Sequence, residues 1–406
     1  MAATFVGFGC GPIQTGLMLC EAIRAGSFER FVVAEVDQVL VDAVRAAGNS
    51  LFINIAGQDG IHTMALQGIE LFNPGVPADR RRIIAAIGDA TELATAIPNV
   101  NLYSAGGDAS IAAMLAAGVR PDTQRIIYTA ENNNYAAEML HEEVRKRAEP
   151  RRFSRLQILN TVVGKMSGVV SSADEMRRLG LAPLVPGFEK CVLVEEFNRI
   201  LISRITLPGF HRGITVFEEK DDLLPFEEAK LYGHNAVHAL LGYLALLRGY
   251  DVMSRIGEDK ELLALGRDAF LHESGAALIR KHAATGDPLF TEDGFAGYAD
   301  DLLRRMVNPY LFDRVERIIR DPLRKLGWND RLFGTMRLAM QQGIEPRGMS
   351  LGAAAAVEHA LRQEGVAGSP RRFLQELWGA EAAEPEREAC LSLVQAAASR
   401  LDDWRR

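Results

Sequence analysis

The first 170 residues alternate short β-branched and apolar runs with helical stretches, and most of the runs end in Gly, Asn or Asp. The strand-like runs are ATFVGFG, RFVVAEV, SLFINIAG, NVNLYSAGG, QRIIYTAEN and RLQILNTVVG. This alternation is typical of βαβ units that build a parallel sheet. We therefore predict an α/β fold whose N-terminal part is a Rossmann-type, doubly wound sheet.

The strand signal fades after about residue 205, and long amphipathic segments take its place. These segments are 222–249, 259–282, 297–307, 311–325, 331–342, 349–363 and 385–404. They predict a mostly α-helical C-terminal domain. A Pro/Gly break in LAPLVPGF places the boundary near residue 190, giving domains 1–190 and 191–406.

Charge and composition narrow the possible partners. The 406 residues include 46 Lys and Arg against 53 Asp and Glu, a net charge of −7, so no overall field favours nucleic acid or an anionic membrane. The four cysteines show no zinc-type or disulfide-type spacing. No apolar run reaches the roughly 18 residues of a membrane span, and no signal peptide is evident. We expect a cytoplasmic protein without a bound metal.

The stretch FVGFGCGPIQTG follows the first strand and opens a helix, where glycines let a backbone approach a pyrophosphate. The third glycine of the GxGxxG pattern is replaced by Gln14, so the match is incomplete. A Rossmann-like sheet without a dinucleotide stays open as an alternative. The predicted cofactor contacts at this turn are Gly7, Gly9, Gly11, Pro12 and Ile13.

The second strand ends at Glu35, a position from which a carboxylate accepts hydrogen bonds from the adenosine ribose. The same carboxylate repels a 2′-phosphate, and no Lys or Arg follows it directly. Glu35 therefore favours NAD over NADP as the cofactor.

The segment KLYGHNAVH places Lys230, His234, Asn235 and His238 at the head of an apolar helix. At 100° per residue, these four side chains and Glu227 lie within an arc of about 140°. A buried lysine has a lowered pKa and acts as a general base near neutral pH. The alternative is an ordinary amphipathic helix whose lysine extends to solvent.

The pattern K-x4-N-x2-H in KLYGHNAVHALLGYLALLRGY resembles the signature of the polyol-specific long-chain dehydrogenases, the mannitol dehydrogenase family. The segments HESGAALIRKH and RRMVNPYLFDRVERIIRDPLRKLGWNDRLFG also resemble this family. The resemblance implies that Lys230 is the general base and that Asn235 and His238 hold the reacting oxygen. Glu227, one turn earlier, is expected to relay the proton.

The resemblance also implies residues from the first domain. In IIYTAENNNY, Asn132 takes the register of an asparagine that polarises the reacting oxygen, although a plain Asn-rich turn is the alternative. The turn LYSAGGD stands where family members contact the nicotinamide, which implies Ala105, Gly106 and Gly107.

The segment DPLRKLGWNDRL resembles the branch of the family that acts on phosphorylated polyols. Arg324, Lys325 and Arg331 are therefore candidates for phosphate binding, and His234 for contact with the sugar. We predict a metal-independent, NAD-dependent oxidoreductase that interconverts a polyol phosphate, similar to mannitol 1-phosphate, and its ketose. The alternatives are a free polyol or a hexuronate such as fructuronate or tagaturonate, and a catalytically silent dinucleotide-binding regulator. A monomer or a homodimer is expected.

Overall fold

The computed structural model describes residues 3–363 and 369–405, and the chain divides into two compact units, Met1–Leu224 and Pro225–Arg406. The predicted boundary at residue 190 lies within the first unit. Strand Cys191–Glu195 pairs with Ser50–Ala56, and Leu201–Ser203 pairs with Leu156–Val162, so both continue the sheets of that unit.

The first unit contains two sheets. Its strands are β1 Thr4–Phe8, β2 Arg30–Ala34, β3 Ser50–Ala56, β4 Ile61–Gln67, β5 Ile69–Phe72, β6 Ala90–Thr95, β7 Arg125–Thr129, β8 Leu156–Val162, β9 Ser167–Val170, β10 Cys191–Glu195, β11 Leu201–Ser203 and β12 Glu218–Lys220. The larger sheet has the order β12-β11-β8-β7-β6-β1-β2-β5. Within it, the six neighbouring strands β8, β7, β6, β1, β2 and β5 run parallel. The smaller sheet has the order β4-β3-β10-β9. The predicted Rossmann-type sheet is confirmed.

Helices cover the faces of the larger sheet, as the buried side chains on both of its sides show. They are α1 Cys20–Ala25, α2 Gln38–Ala46, α3 Pro77–Asp89, α4 Ile111–Gly118, α5 Ala136–Arg145 and α6 Ala173–Leu179. Polar residues begin several of them. The Asp37 carboxylate accepts from the backbone N–H of Val39 at 3.0 Å, and Ser110 caps α4 in the same way.

Two strand predictions in this unit need correction. SLFINIAG forms β3, but it lies in the smaller sheet, because an apolar run does not specify which partner it pairs with. NVNLYSAGG forms a 3₁₀ turn at Val100–Tyr103, because the Asn99 side chain accepts from the Asn101 N–H at 2.8 Å. The strand at this point of the sheet is β6, and its buried Glu92 interrupts the apolar pattern by which a strand is recognised. Glu92 accepts a hydrogen bond from the Tyr128 hydroxyl at 2.7 Å.

The second unit is helical, as predicted. Its described residues 225–363 and 369–405 contain no strand beyond one isolated bridge between Val252 and Arg314. The helices are α7 Leu224–Glu228, α8 Asn235–Leu247, α9 Lys260–Asp268, α10 Ala276–His282, α11 Glu292–Met306, α12 Val315–Ile319, α13 Pro322–Lys325, α14 Phe333–Gln341, α15 Arg347–Gln363, α16 Pro370–Trp378 and α17 Glu386–Ala398.

Helix α8 lies in the core of this unit, packed against α12 and α15. Small residues make these close contacts possible. A Cβ on Gly242 would lie 2.6 Å from Ile318, and one on Gly352 would lie 2.8 Å from Leu240. Because α8 is fixed on both sides, the polar residues at its N-terminus are held in place.

Candidate active site

The glycine-rich turn of the first unit connects β1 to the π-helical segment Gln14–Leu19, which continues into α1. Gly9 has φ of 86°, and a Cβ there would lie 2.8 Å from the Ala96 carbonyl oxygen, so only glycine fits. A Cβ on Gly11 would meet nothing within 4 Å. The backbone at Gly11 is therefore open to the approach of a ligand.

A cavity of about 570 Å³ opens beside this turn, within the first unit. Ligand and cofactor sites commonly have volumes of roughly 300–1,000 Å³. The cavity wall includes most of the predicted cofactor contacts, namely Gly9, Gly11, Pro12, Ile13, Glu35 and Ala105. Gly7 lies on β1 outside this wall, and Gly106 and Gly107 follow Ala105 in left-handed conformations, with φ of 96° and 61°.

Glu35, which follows β2, has its carboxylate held by two backbone N–H groups. Its Oε2 accepts from the Cys10 N–H at 2.8 Å, and its Oε1 accepts from the Asp37 N–H at 2.9 Å. Each carboxylate oxygen has a further lone pair available. The geometry thus suits an acceptor of ribose hydroxyl hydrogen bonds that is already in position before a nucleotide binds.

Glu131 fixes the loop that carries part of the cavity wall. Its carboxyl group accepts hydrogen bonds from Thr95 Oγ1 at 2.9 Å, from the Ile97 N–H at 3.0 Å and from the Tyr103 hydroxyl. Burial raises the pKa of Glu131, although these hydrogen bonds oppose the rise. Asn132, next along the chain, has an exposed side chain. Its neighbour Asn133 serves the local turn, since its side chain accepts from the Tyr135 N–H at 2.8 Å.

In the second unit, Lys230 lies on a π-helical segment, Ala229–His234, between α7 and α8. The Asn235 N–H donates to the Lys230 carbonyl oxygen, an i to i−5 bond that widens this turn. The arc calculated at 100° per residue therefore does not hold across Lys230. Single π-turns occur frequently at functional sites because they redirect side chains within a helix.

Lys230 is partly buried, and its surroundings lower the pKa of its amine. Removal from water lowers its pKa to about 8, and the positive charge of Arg331 adds to this effect. The Glu227 carboxylate opposes it. A lysine with this pKa exchanges a proton near neutral pH, which is the property that a general base requires.

Two histidines lie beside this lysine on the same helical stretch. The ring centroids of His234 and His238 are 5.9 Å apart. Burial holds the pKa of His234 well below its ordinary value, and the charges of His238, Arg305, Lys230 and Arg331 lower it further. His234 is therefore neutral at physiological pH, and it serves as a hydrogen-bonding group rather than a charge.

The sequence did not single out Asp313 and Arg305, which belong to this cluster. Asp313 Oδ2 lies 3.4 Å from His238 Nε2. Arg305 lowers the pKa of His234 and forms an ion pair with Asp301 at 3.3 Å. Both residues fall in RRMVNPYLFDRVER, a segment noted for its family resemblance. Asp313 follows an irregular turn at Phe312, with φ of 50°, and sequence spacing alone does not reveal such a turn.

The predicted phosphate-binding residues differ in burial and in their ion-pair partners. Arg331 is an ion-pair partner of Asp330 at 2.7 Å, and its charge lowers the pKa of Lys230. Lys325 is buried, and burial lowers its pKa to about 8, with the charges of Arg331 and Arg324 adding to this effect. Arg324 lines a cavity of about 1140 Å³ in the second unit. Arg331 is thus the best placed of the three predicted residues.

Glu227 and Glu228 have different surroundings. Glu228 binds Lys281 at 2.7 Å and His282 at 2.7 Å, which ties α7 to α10. The Glu227 charge instead raises the pKa of Lys230, which opposes the effect of burial. Of these two glutamates, Glu227 is the one whose charge acts on Lys230.

Within residues 3–363 and 369–405, no three His, Cys, Asp or Glu side chains are grouped as metal ligands would be. The same residues include no helix long and apolar enough to cross a membrane.

Residues 222–371 match the family model of the Mannitol dehydrogenase C-terminal domain. A mannitol-1-phosphate 5-dehydrogenase of Caldanaerobacter subterraneus subsp. tengcongensis is 29% identical over 299 residues, 73% of this chain and 72% of that protein. One of Exiguobacterium sibiricum is 27% identical over 362 residues, 87% of this chain and 85% of that protein. The chain is similar to the mannitol dehydrogenases, through this domain and over most of its length. The resemblance predicted from the sequence is confirmed.

Solved structures show the same fold. D-sorbitol dehydrogenase in substrate-free form has a TM-score of 0.71 at 14% identity, over 98% of this chain and 91% of that chain. Pseudomonas fluorescens mannitol 2-dehydrogenase, in a ternary complex with NAD and D-mannitol, has a TM-score of 0.70 at 14% identity, over 99% and 92%. The predicted fold class is confirmed.

Proposed function

We propose that this protein is a metal-independent, NAD-dependent oxidoreductase of the mannitol dehydrogenase type, which interconverts a polyol phosphate and its ketose. The observation that carries the proposal is Lys230 on its π-turn, with a pKa lowered to about 8 and with Asn235 and His238 on the next turn. The dehydrogenase class and the NAD cofactor predicted from the sequence agree with the comparisons.

The cavity of the first unit fits a dinucleotide. Gly9 and Gly11 leave the backbone accessible at the turn, and Glu35 offers a carboxylate that is already held by two backbone N–H groups. A bound NAD⁺ would supply the hydride acceptor for the substrate carbon. Glu35 is the residue that selects NAD, because its charge disfavours a 2′-phosphate.

In alcohol oxidation, the neutral amine of Lys230 accepts the hydroxyl proton as the hydride leaves the adjacent carbon. Asn235 donates its side-chain N–H to the developing alkoxide, and His238 orients the hydroxyl. Glu227 passes the proton from the Lys230 ammonium toward solvent. The role of Asn132 in polarising the same oxygen follows from the family resemblance and stays a prediction.

A phosphorylated substrate is supported by two observations. The two curated relatives described above are mannitol-1-phosphate 5-dehydrogenases. In this chain, Arg331 lies near enough to lower the pKa of Lys230, and Arg305 has the same relation to His234. Guanidinium groups bind phosphate oxygens in a bidentate manner, so these arginines suit a phosphate better than a neutral hydroxyl.

The test is a substrate panel, with the full chain in EDTA and NADH formation read by absorbance. The panel contains mannitol 1-phosphate, other polyol phosphates, free mannitol and sorbitol, and the reduced forms of fructuronate and tagaturonate. We expect the highest kcat/KM with a polyol phosphate. Arg331→Ala should raise KM for that substrate roughly tenfold or more, while Arg320→Ala, at a side chain that is 74% exposed, should change it little.

The other outcomes identify the alternatives. A preference for free polyols or for hexonates would replace the phosphate by a neutral or a carboxylate substrate, respectively. NADH binding measured by fluorescence, without turnover of any compound in the panel, would indicate a silent dinucleotide-binding regulator.

A further inference from the structure

His238 and Asp313 are two buried groups that face each other in the second unit. His238 Nε2 lies 3.4 Å from Asp313 Oδ2, slightly longer than a hydrogen bond. Neither atom has another hydrogen-bond partner among the described residues, 3–363 and 369–405. Buried polar atoms without partners are costly, so each of these atoms is most stable when paired with the other.

Asp313 is held in this position by contacts on its other side. Arg317 directs Nε and Nη2 at Oδ1, each at 2.7 Å. The Asp313 carbonyl oxygen accepts from the Met253 N–H at 2.8 Å, next to the bridge between Val252 and Arg314. Because Oδ1 is occupied by Arg317, Oδ2 is the oxygen directed at His238.

Asp313 is ionised at all physiological pH values. Burial by itself would raise its pKa, but His238 and Arg317 outweigh that effect and lower it to about 2. An ionised carboxylate accepts hydrogen bonds and cannot donate one. The nitrogen of His238 that faces it must therefore carry a proton.

We infer that Asp313 is a positioning residue that fixes His238 with its proton on Nε2 and reserves Nδ1 for the substrate hydroxyl. The inference rests on the proposed function for the role of His238, but the tautomer itself follows from the contacts. A carboxylate that sets the tautomer of a histidine in this way is a recurring arrangement in enzymes. Besides Asp313, the titratable neighbour of His238 is His234, beyond which lie Lys230, Arg305 and Arg331.

Asp313→Asn should reverse the tautomer. Arg317 offers only donors, so the amide oxygen must remain on its side, which turns the Asn NH₂ group toward His238. That NH₂ group donates to Nε2 and forces the proton onto Nδ1, which changes the nitrogen that faces the substrate from an acceptor to a donor and removes the contact that orients the hydroxyl for Lys230. We expect kcat to fall about 100-fold or more, with KM changed only a few-fold.

The experiment uses the full chain labelled with ¹⁵N-histidine and compares the nitrogen shifts of wild type and Asp313→Asn. The chain has eight histidines, so His238→Gln identifies the signals of His238 by difference. The control is Arg320→Ala, whose side chain is 74% exposed and lies 3.8 Å from its ion-pair partner Asp321. It should leave both the spectrum and the kinetics unchanged.

The spectrum separates this inference from the proposed function. A protonated Nε2 in wild type that moves to Nδ1 in Asp313→Asn supports the positioning role even if no substrate is turned over. A proton on Nδ1 in wild type overturns it, and so does an Asp313→Asn variant with the wild-type spectrum and kcat. If Asp313→Asn does not fold, the wild-type spectrum decides alone.

Discussion

The side chain of Gln14 occupies the space next to Gly7 that any larger residue at position 7 would need. A Cβ on Gly7 would lie 2.2 Å from Gln14 Nε2 and 2.8 Å from its Cδ. Gln14 replaces the third glycine of the nucleotide-binding pattern and is fully buried. The absence of a side chain at Gly7 therefore leaves room for the larger side chain of Gln14. Gly16, whose Cβ would lie 2.5 Å from Val194, provides the close approach of the helix to β10.

Gly7→Ala is expected to destabilise the first unit by about 1–3 kcal/mol, because the buried Gln14 has little room to move. In a Gln14→Ala background the same change should cost less than about 0.5 kcal/mol. The difference is a coupling energy that a double-mutant cycle of urea unfolding measures directly. Gly26→Ala, at a glycine with no neighbour within 4 Å but with φ of 65°, provides a control whose cost should not depend on residue 14. Additive costs for positions 7 and 14 would contradict the packing relationship.

Glu35→Gln is expected to reduce the preference for NAD over NADP roughly tenfold or more. The amide keeps one acceptor for the backbone N–H groups of Cys10 and Asp37, but it no longer repels a 2′-phosphate. The measurement is the ratio of kcat/KM for the two cofactors. Asp42→Asn, at an exposed position on α2, removes the same charge without lining the cavity and should leave the ratio unchanged.

The rate of alcohol oxidation should rise with pH and reach a plateau above an apparent pKa near 8. Lys230 has its pKa lowered to about 8, so it is mainly protonated below that pH and mainly neutral above it. Oxidation needs the neutral amine and ketone reduction needs the ammonium, so reduction should fall over the same interval. Measuring kcat/KM against pH for oxidation and for reduction tests whether the first rises and the second falls.

Lys230→Arg should abolish this profile and lower kcat by roughly 10²–10⁴-fold, because a guanidinium does not deprotonate in this range. Lys281→Arg makes the same replacement at a lysine bound to Glu228 and should retain activity. If Lys230→Arg kept the wild-type profile, the base would have to be another group.

The predicted role of Lys230 rests on the family resemblance, whereas its predicted geometry needed correction. The motif K-x4-N-x2-H identified Lys230, Asn235 and His238, because the family resemblance depends on residue types at fixed spacing. The π-turn at Ala229–His234 was not predictable, since its extra residue per turn has no distinct hydrophobic period. The assumed angles around the helix were consequently wrong across this turn.

Contacts between segments that are far apart in the chain were also not predictable from the sequence. Asp313 faces His238 from a segment far along the chain, next to Phe312 in a left-handed conformation and with its carbonyl oxygen bound by the Met253 N–H. No periodic pattern encodes such a contact.

Glu273 makes the stability of the second unit depend on pH. Its carboxyl group is buried on the π-helical segment Ala269–Gly275 and accepts from the backbone N–H groups of Gly348 at 2.6 Å and Met349 at 2.9 Å. Burial raises its pKa from 4.5 to about 7, although these two hydrogen bonds oppose the rise. The native state therefore binds this proton more tightly than the unfolded state does.

The stability that Glu273 contributes is fully present below its unfolded pKa of about 4.5 and is lost as the pH rises through about 7. The loss amounts to roughly 3 kcal/mol at most, from 1.36 kcal/mol per pKa unit. Glu273→Gln keeps one acceptor for the start of α15 but does not ionise, so its free energy of unfolding should vary less between pH 5 and pH 8. Urea unfolding of both proteins at these two pH values measures the difference.

Glu376→Gln, at an exposed carboxylate paired with Arg372, should vary as wild type does, because its charge is solvated in both states. An equal pH dependence in wild type and Glu273→Gln would mean that the buried carboxyl group stays ionised, with the two backbone N–H groups at the start of α15 sufficient to offset its burial.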